Sequence, residues 1–140
     1  MRAVVDIETD AINATKIHCI VARRADTGET RHWIGDQCRE FGEWSKKIDT
    51  FIMHNGISFD APLLNKFTGS DIKVHQIDDT LIKSQLYNPI REEGHSLEAW
   101  GNFLGHKKGD YHDFATFNED MLKYCYTDTQ LTREVSAYLQ

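Results

Sequence analysis

The sequence has 140 residues, of which 27% are charged and 40% hydrophobic, and its formal net charge is −6. This length is enough for one domain, residues 1–140, built around a single core. The negative charge argues against a protein that grips nucleic acid through a basic surface alone. It does not argue against a nuclease whose clustered acids bind cations.

The apolar and cysteine patterns indicate the cellular compartment in which the protein is expected. No apolar run approaches the roughly 20 residues of a membrane span, and the N-terminus has no signal-peptide apolar region, so no membrane association is expected. Cys19, Cys38 and Cys125 are scattered and odd in number. This pattern argues against a disulfide framework or a zinc site and favours a reducing cytoplasm.

The first ten residues predict a buried strand that carries two acids. Its apolar run, Ala3 to Ile7, is interrupted by Asp6 and followed by Glu8. Residues two apart in a strand point to the same face, so both carboxylates are expected side by side. Such a pair repels unless a cation neutralises it, and oxygen ligands suit Mg²⁺ or Mn²⁺. The alternative is a strand that simply ends, with both acids in solvent.

The rest of the chain alternates between predicted strands and helices. Strands at 17–22 and 30–34 are expected to form a hairpin, and 36–48 has the 3–4 spacing of an amphipathic helix. A strand at 50–53 leads to Asp60, which could be only the N-cap of the helix that follows it. Beyond it we expect a strand at 73–77, then a helix at 81–86 that the preceding Asp79-Thr80 caps. A helix at 96–104, capped by Ser96 and closed by Gly105, and a long helix at 117–139 follow. The pattern predicts an α/β fold, with a central five-stranded mixed sheet flanked by helices.

Four acids and a tyrosine occupy positions that suit metal-dependent chemistry. Besides Asp6, Glu8 and Asp60, the last helix carries Tyr124 and Asp128, which share a face because they are four residues apart. Two-metal phosphodiester cleavage needs several carboxylates from different parts of a chain, which hold two cations about 3.5–4 Å apart. A tyrosine hydroxyl one helical turn before a ligand could orient the attacking water.

The order of these residues resembles the DEDD superfamily of 3′–5′ exonucleases, which has a ribonuclease H-like fold. Its three motifs are matched by Asp6-x-Glu8, by Asn55-x3-Phe59-Asp60 and by Tyr124-x3-Asp128. Tyr124, together with Lys123 at the position where the other branch has His, indicates the tyrosine branch (DEDDy). Further matches at 15–19, 54–56, 79–81, 95–101 and 104–111 resemble the proofreading domain of podophage family A DNA polymerases.

The resemblance implies roles for eight residues. The expected ligands of two divalent ions, Mg²⁺ or Mn²⁺, are Asp6, Glu8, Asp60 and Asp128, while Tyr124 would orient the nucleophilic water. Thr9 and Asn55 would contact the terminal nucleotide, and Phe59 would shape its pocket. The implied activity is stand-alone 3′–5′ hydrolysis of single-stranded DNA to 5′-mononucleotides, by a monomer in the cytoplasm (the host cytoplasm if phage-encoded). Stand-alone action is expected because no polymerase domain follows Gln140.

Two alternatives stay open. One is an exoribonuclease of the same mechanism, since the tyrosine branch also contains ribonuclease D-type enzymes. The other is an interaction or proofreading subunit of a separate DNA polymerase, although a silent binder would be expected to have lost one of the four acids. Structural roles are expected for the remaining polar and aromatic candidates: Asp10, Asp78, Tyr126, His54, His95, Trp33, Trp44 and Trp100.

Overall fold

The computed structural model describes residues 1–106 and 115–140. Its strands form one mixed sheet in the order β3-β2-β1-β4-β5, with bounds β1 Arg2–Thr9, β2 Ile17–Arg24, β3 Thr30–Ile34, β4 Thr50–Met53 and β5 Ile77–Asp79. The central strand β1 is antiparallel to β2 and parallel to β4. β2 and β3 form the predicted hairpin, and β4 and β5 are parallel. The predicted α/β architecture with a five-stranded mixed sheet is confirmed.

Five α-helices accompany the sheet in the part of the chain that the structure describes. Their bounds are α1 Phe41–Trp44, α2 Ala61–Thr68, α3 Thr80–Tyr87, α4 Leu97–Leu104 and α5 Glu119–Tyr138. Local caps explain where three of them begin. The side chains of Asp79, Ser96 and Asn118 accept bonds from the backbone N–H groups of the first turns of α3, α4 and α5. α4 ends at Gly105, whose φ of 78° lies in the left-handed region.

The two faces of β1 have different surroundings. Ala3, Val5 and Ile7 belong to a core that also includes Phe41 of α1 and Leu64 of α2. The opposite face of the sheet is covered by α5, which packs against the β2 residues Cys19 and Val21 through Met121, Leu122 and Cys125. Side chains alternate along β1, so Asp6 and Glu8 lie on the side of α5.

Two expected elements were wrong in detail. The segment 36–48 is not one helix but a 3₁₀ helix at Gly35–Glu40, α1, and a second 3₁₀ helix at Ser45–Lys47. Gly42 weakens helix formation there and allows a close approach, since a Cβ on it would lie 2.2 Å from the Thr68 carbonyl oxygen. The fifth strand is Ile77–Asp79 rather than 73–77. Residues 74–76 form a 3₁₀ turn in which Gln76 Oε1 accepts the Lys73 N–H at 3.0 Å.

The tryptophans have the expected core positions. Trp33 and Trp100 are buried, and the ring of the partly buried Trp44 lies 5.0 Å from that of Trp33 in an edge-on arrangement. Among the residues that the structure describes, no helix has both the length and the apolar character to cross a membrane.

Candidate active site

The first two acids lie where β1 ends. Glu8 is buried and Asp6 is half-buried. The Sγ atom of Cys125, on α5, lies 3.5 Å from both the carbonyl oxygen and Oδ2 of Asp6. One ligand atom from each of Asp6, Glu8 and Cys125 lies within 4.8 Å of the other two. The two carboxylates therefore lie near each other on one face of β1, as expected, and they are not both in solvent.

Asp60 enters the site from the turn that follows β4. Asn55 adopts left-handed dihedrals (φ 65°, ψ 29°), and residues Gly56–Asp60 form a single π-helical turn that runs directly into α2. A Cβ on Gly56 would lie 2.3 Å from the Met53 Cβ, so only glycine fits there. Asp60 itself is helical, buried, and makes no side-chain capping bond. The N-cap reading of Asp60 is thus wrong, and its carboxyl group is left for another role.

The charges of acids on three other segments act on the Asp60 carboxyl. Burial raises the pKa of the Asp60 carboxyl well above 3.8, and the negative charges of Asp6, Asp79 and Asp128 raise it further, in that order. Asp6 comes from β1, Asp79 from β5 and Asp128 from α5. The Asp60 carboxyl therefore favours its neutral form unless a positive charge compensates the neighbouring acids.

The helix α5 supplies the last two predicted residues. Asp128 is 4% exposed, and Tyr124 is half-buried one turn before it. A spacing of four residues keeps the two side chains on the same face of the helix. Tyr126 lies on another face, where its hydroxyl meets His32 Nδ1. Asp6 and Glu8 therefore lie near each other on β1, the charges of Asp6 and Asp128 act on the buried Asp60, and Tyr124 lies one turn before Asp128 on α5.

Asp79 was not predicted as part of the site. Its Oδ1 accepts the N–H groups of Asn55 at 2.8 Å and Leu81 at 3.0 Å, and its Oδ2 accepts the N–H of Ile57 at 3.2 Å. One buried carboxylate therefore caps α3 and also holds the turn that delivers Asp60. The sequence showed only the capping role, because the bonds to Asn55 and Ile57 join segments more than 20 residues apart.

Cys125 is the second residue that sequence reasoning missed. Its thiol is buried next to Asp6, and burial raises its pKa well above 9.0, with further increases from the contact with Cys19 and the charges of Asp6 and Glu8. It is therefore a neutral thiol that can donate a hydrogen bond to Asp6. Its position between Tyr124 and Asp128 gave no signal, because neither residue type nor spacing marks it. All three cysteines are free, as expected.

Two of the three residues expected to contact the substrate line one cleft, and the third does not. Thr9 and Phe59 line a cleft of about 290 Å³ together with Glu8 and the strongly exposed Ile12. The Thr9 hydroxyl donates to the Ala11 carbonyl at 3.0 Å. Asn55 is exposed and is not among the residues that line this cleft. Ile12, an apolar side chain beside the first acidic motif, was not singled out from the sequence.

The remaining polar candidates make structural contacts. Asp10 accepts the N–H groups of Thr15 and Lys16, and the Thr15 hydroxyl bond lowers its pKa to about 2. His54 Nδ1 lies 2.8 Å from the Thr80 hydroxyl. Two further contacts are an ion pair from Asp78 to Arg2 and Lys83, and a bond of 2.6 Å between His95 Nδ1 and the Ser84 hydroxyl.

The donor set fits divalent cations. Carboxylate oxygens are the ligands that Mg²⁺ and Mn²⁺ prefer, and a buried group of them is stabilised by a bound positive charge. Burial and three neighbouring negative charges raise the pKa of Asp60, so a bound cation would stabilise the ionised form of this carboxyl. Asp6, Glu8, Asp60 and Asp128 are the residues that would hold the cations.

Two curated proteins align with most of the chain. Over 91% of its length the chain is 27% identical to the DNA-directed DNA polymerase of Escherichia phage T7 and 26% identical to that of Enterobacteria phage T3. It spans about a quarter of the length of each of these relatives. The predicted resemblance to DEDD-type 3′–5′ exonucleases is confirmed. No protein-family profile matches the sequence.

Solved structures confirm the predicted ribonuclease H-like fold. Brucella melitensis NrnC bound to pGG superposes with a TM-score of 0.75 at 19% identity, covering 99% of this chain and 71% of that one. A second structure of that protein has bound Mg²⁺, with a TM-score of 0.73. Exonuclease X in complex with 5′ overhanging duplex DNA gives 0.55 at 15% identity, covering 99% and 92% of the two chains. Residues 107–111 of the sequence match at 104–111 lie outside the described residues.

Proposed function

We propose that this chain is a 3′–5′ exonuclease that hydrolyses single-stranded DNA from its 3′ end and uses two divalent cations, Mg²⁺ or Mn²⁺. The observation that carries the proposal is the grouping of acids: Asp6 and Glu8 lie near each other on β1, while burial and the charges of Asp6, Asp79 and Asp128 raise the pKa of Asp60. The likeness to phage DNA polymerases supports DNA as the substrate, since it covers nearly all of this chain.

In this proposal each residue has one task. Asp6, Glu8, Asp60 and Asp128 hold the cations, which supply Lewis-acid stabilisation of the phosphodiester oxygens when they are bound. The Tyr124 hydroxyl accepts a hydrogen bond from the attacking water and so orients a lone pair of the water oxygen toward phosphorus. Thr9 and Phe59, in the cleft beside Glu8, would hold the terminal nucleotide, and Asn55 would contact it from the turn.

Hydrolysis then proceeds by a single in-line displacement. The water oxygen forms a bond to phosphorus while the bond from phosphorus to the 3′ oxygen of the preceding nucleotide breaks. The attacking water loses one proton to solvent and the departing oxygen takes one from solvent, so the strand ends again in a 3′ hydroxyl and a 5′-mononucleotide is released. The buried position of Asp60 and Asp128 keeps competing water away from the acids, which strengthens their electrostatic interactions.

The test is a 5′-labelled single-stranded DNA oligonucleotide, incubated with Mg²⁺, with Mn²⁺ and with neither. A ladder that shortens from the 3′ end and stops with chelator supports the proposal. Asp6→Ala should abolish the ladder and leave the circular dichroism spectrum and melting curve those of a folded protein. Normal cleavage by Asp6→Ala would contradict the assignment of the site.

A second candidate is an exoribonuclease with the same residues and mechanism. The structure of NrnC, which superposes on this chain with a TM-score of 0.75, contains bound pGG. This ligand is written without the prefix that marks a deoxynucleotide. Matched DNA and RNA oligonucleotides in the same assay decide between the two substrates. Faster cleavage of RNA by tenfold or more would assign the chain to RNA.

The third possibility is that the chain is a proofreading subunit of a separate DNA polymerase. The relatives are DNA polymerases, and this chain spans about a quarter of their length, so a proofreading role beside a polymerase is also consistent with the similarity. Copurification of a DNA polymerase with the tagged chain would support that role. Gel filtration of the purified chain tests the expectation that it is a monomer.

A further inference from the structure

A second cleft, of about 490 Å³, lies near the same end of the sheet as the acids. Its position follows from the strand register. Ile17, at the start of β2 and in the lining of this cleft, pairs with Thr9, the residue after Glu8. The loop from Asp10 to Lys16 separates the two clefts: its first residues line the cleft beside Glu8, and its last residues line this one.

The charges of this cleft are unlike those of the acidic site. Lys16 and Arg39 line it, both are exposed, and neither has a carboxylate partner within 4.0 Å among the residues that the structure describes. Asp36 is the acid in the lining. Two unpaired cations against one acid give a locally positive surface on a protein with a net charge of −6. Many of the other cations are already ion-paired, for example Lys46 with Glu43.

Aromatic rings are also part of this lining. Phe67 of α2 and Phe117, two residues before α5, contribute to the cleft, and both are only half-buried. Proteins that bind single strands combine cations that follow the phosphate backbone with aromatic side chains on which bases stack. The cleft has both kinds of group, and its volume falls in the range of ordinary ligand sites.

We propose that the cleft lined by Lys16 and Arg39 binds the phosphodiester backbone of the single strand upstream of its 3′-terminal nucleotide. This proposal rests on the exonuclease function, because it assigns the path of the same substrate. Lys16 and Arg39 contact phosphates and do not touch the reacting bond. The cleft should therefore matter for strands of several nucleotides and not for a dinucleotide, which fills only the acidic site.

The first measurement is the salt dependence of binding. A fluorescent DNA hexanucleotide is titrated by anisotropy with Ca²⁺ in place of Mg²⁺ to slow hydrolysis, between 50 and 300 mM salt. Each phosphate contact on a single strand contributes about 0.7 to the slope of log K against log salt. The double variant Lys16→Gln/Arg39→Gln should lower that slope by about 1.4 and weaken binding at 50 mM salt by at least about tenfold.

The matched control removes the same charge elsewhere. Lys46 and Lys47 are exposed and precede β4, whose first residue, Thr50, pairs with Arg2 at the opposite end of β1 from Glu8. Lys46→Gln/Lys47→Gln should therefore leave the slope within about 0.3 of wild type. Equal losses in the two double variants would show a general effect of net charge and would overturn the proposal.

The second measurement separates this proposal from the function on which it rests. Cleavage of a dinucleotide with Mg²⁺ should be the same in wild type and Lys16→Gln/Arg39→Gln, while kcat/KM for a hexanucleotide falls about tenfold. If the double variant cleaves both substrates normally and its slope is unchanged, the cleft assignment is wrong and the exonuclease proposal is retained. If wild type cleaves neither substrate, the exonuclease proposal is wrong, and the slopes still decide whether the cleft holds a strand. Repeating the binding with an RNA hexanucleotide shows which backbone is preferred.

Discussion

Replacing Asp79 with Asn tests whether one buried carboxylate positions the turn that carries Asp60. Asp79 accepts three backbone N–H groups, from Asn55, Ile57 and Leu81, at 2.8–3.2 Å. The amide of Asn keeps one oxygen but places an NH₂ group opposite the Ile57 N–H, which then has no acceptor. The variant loses one charge-assisted bond and weakens two others.

The size of the effect follows from these bonds. Hydrogen bonds to a charged group contribute about 1.5–3 kcal/mol, and an unsatisfied buried N–H costs a similar amount. Against this, loss of the Asp79 charge removes one of the repulsions that raise the pKa of Asp60. We expect a net loss of about 2 kcal/mol in the free energy of unfolding, which for a chain of this length lowers the Tm by about 7 °C.

The assay is thermal and urea unfolding of the metal-free protein, followed by circular dichroism at pH 7. Asp71→Asn is the matched control, because Asp71 is exposed and its ion-pair partner is the exposed Lys73. An exposed ion pair of this kind contributes about 0–1 kcal/mol. Cleavage by Asp79→Asn should also fall by about tenfold or more, since the turn that carries Asp60 is no longer held. A Tm within 2 °C of wild type would refute the reasoning.

Three further changes probe the site. In metal-free protein the folded-state pKa of Asp60 is raised, so its contribution to stability is lost as pH rises above about 4; Asp60→Asn should be more stable than wild type at pH 7, with the difference shrinking toward pH 4 in urea titrations. Tyr124→Phe should slow cleavage by up to about 10²–10⁴-fold with unchanged metal affinity by calorimetry, and an unchanged rate would exclude Tyr124 from orienting the water. Gly56→Ala places a Cβ 2.3 Å from that of Met53, and should cost at least about 1–3 kcal/mol in urea unfolding.

Local periodicity explains which parts of the site could be predicted. Asp6 and Glu8 follow the two-residue period of a strand, and Tyr124 and Asp128 follow the four-residue spacing of a helix, so each pair could be placed before its surroundings were known. The caps at Ser96 and Asp79 were equally local. In each case a rule that acts within a few residues is sufficient.

The errors and omissions came from contacts between distant segments. Gly42 lies against the Thr68 carbonyl, and the helix expected at 36–48 is divided around it. Asp79 bonds to Asn55 and Ile57, and Cys125 reaches Asp6 across 119 positions. None of these contacts leaves a periodic trace in the sequence.

The spread of the four acids along the chain has a consequence for synthesis of the protein. Asp6 and Glu8 are made at the start, whereas Asp128 arrives with α5, the last helix in chain order. A nascent polypeptide that has not yet released α5 from the ribosome therefore carries an incomplete set of carboxylates. In the proposed exonuclease, cleavage would therefore begin only after α5 has left the ribosome and packed against the sheet.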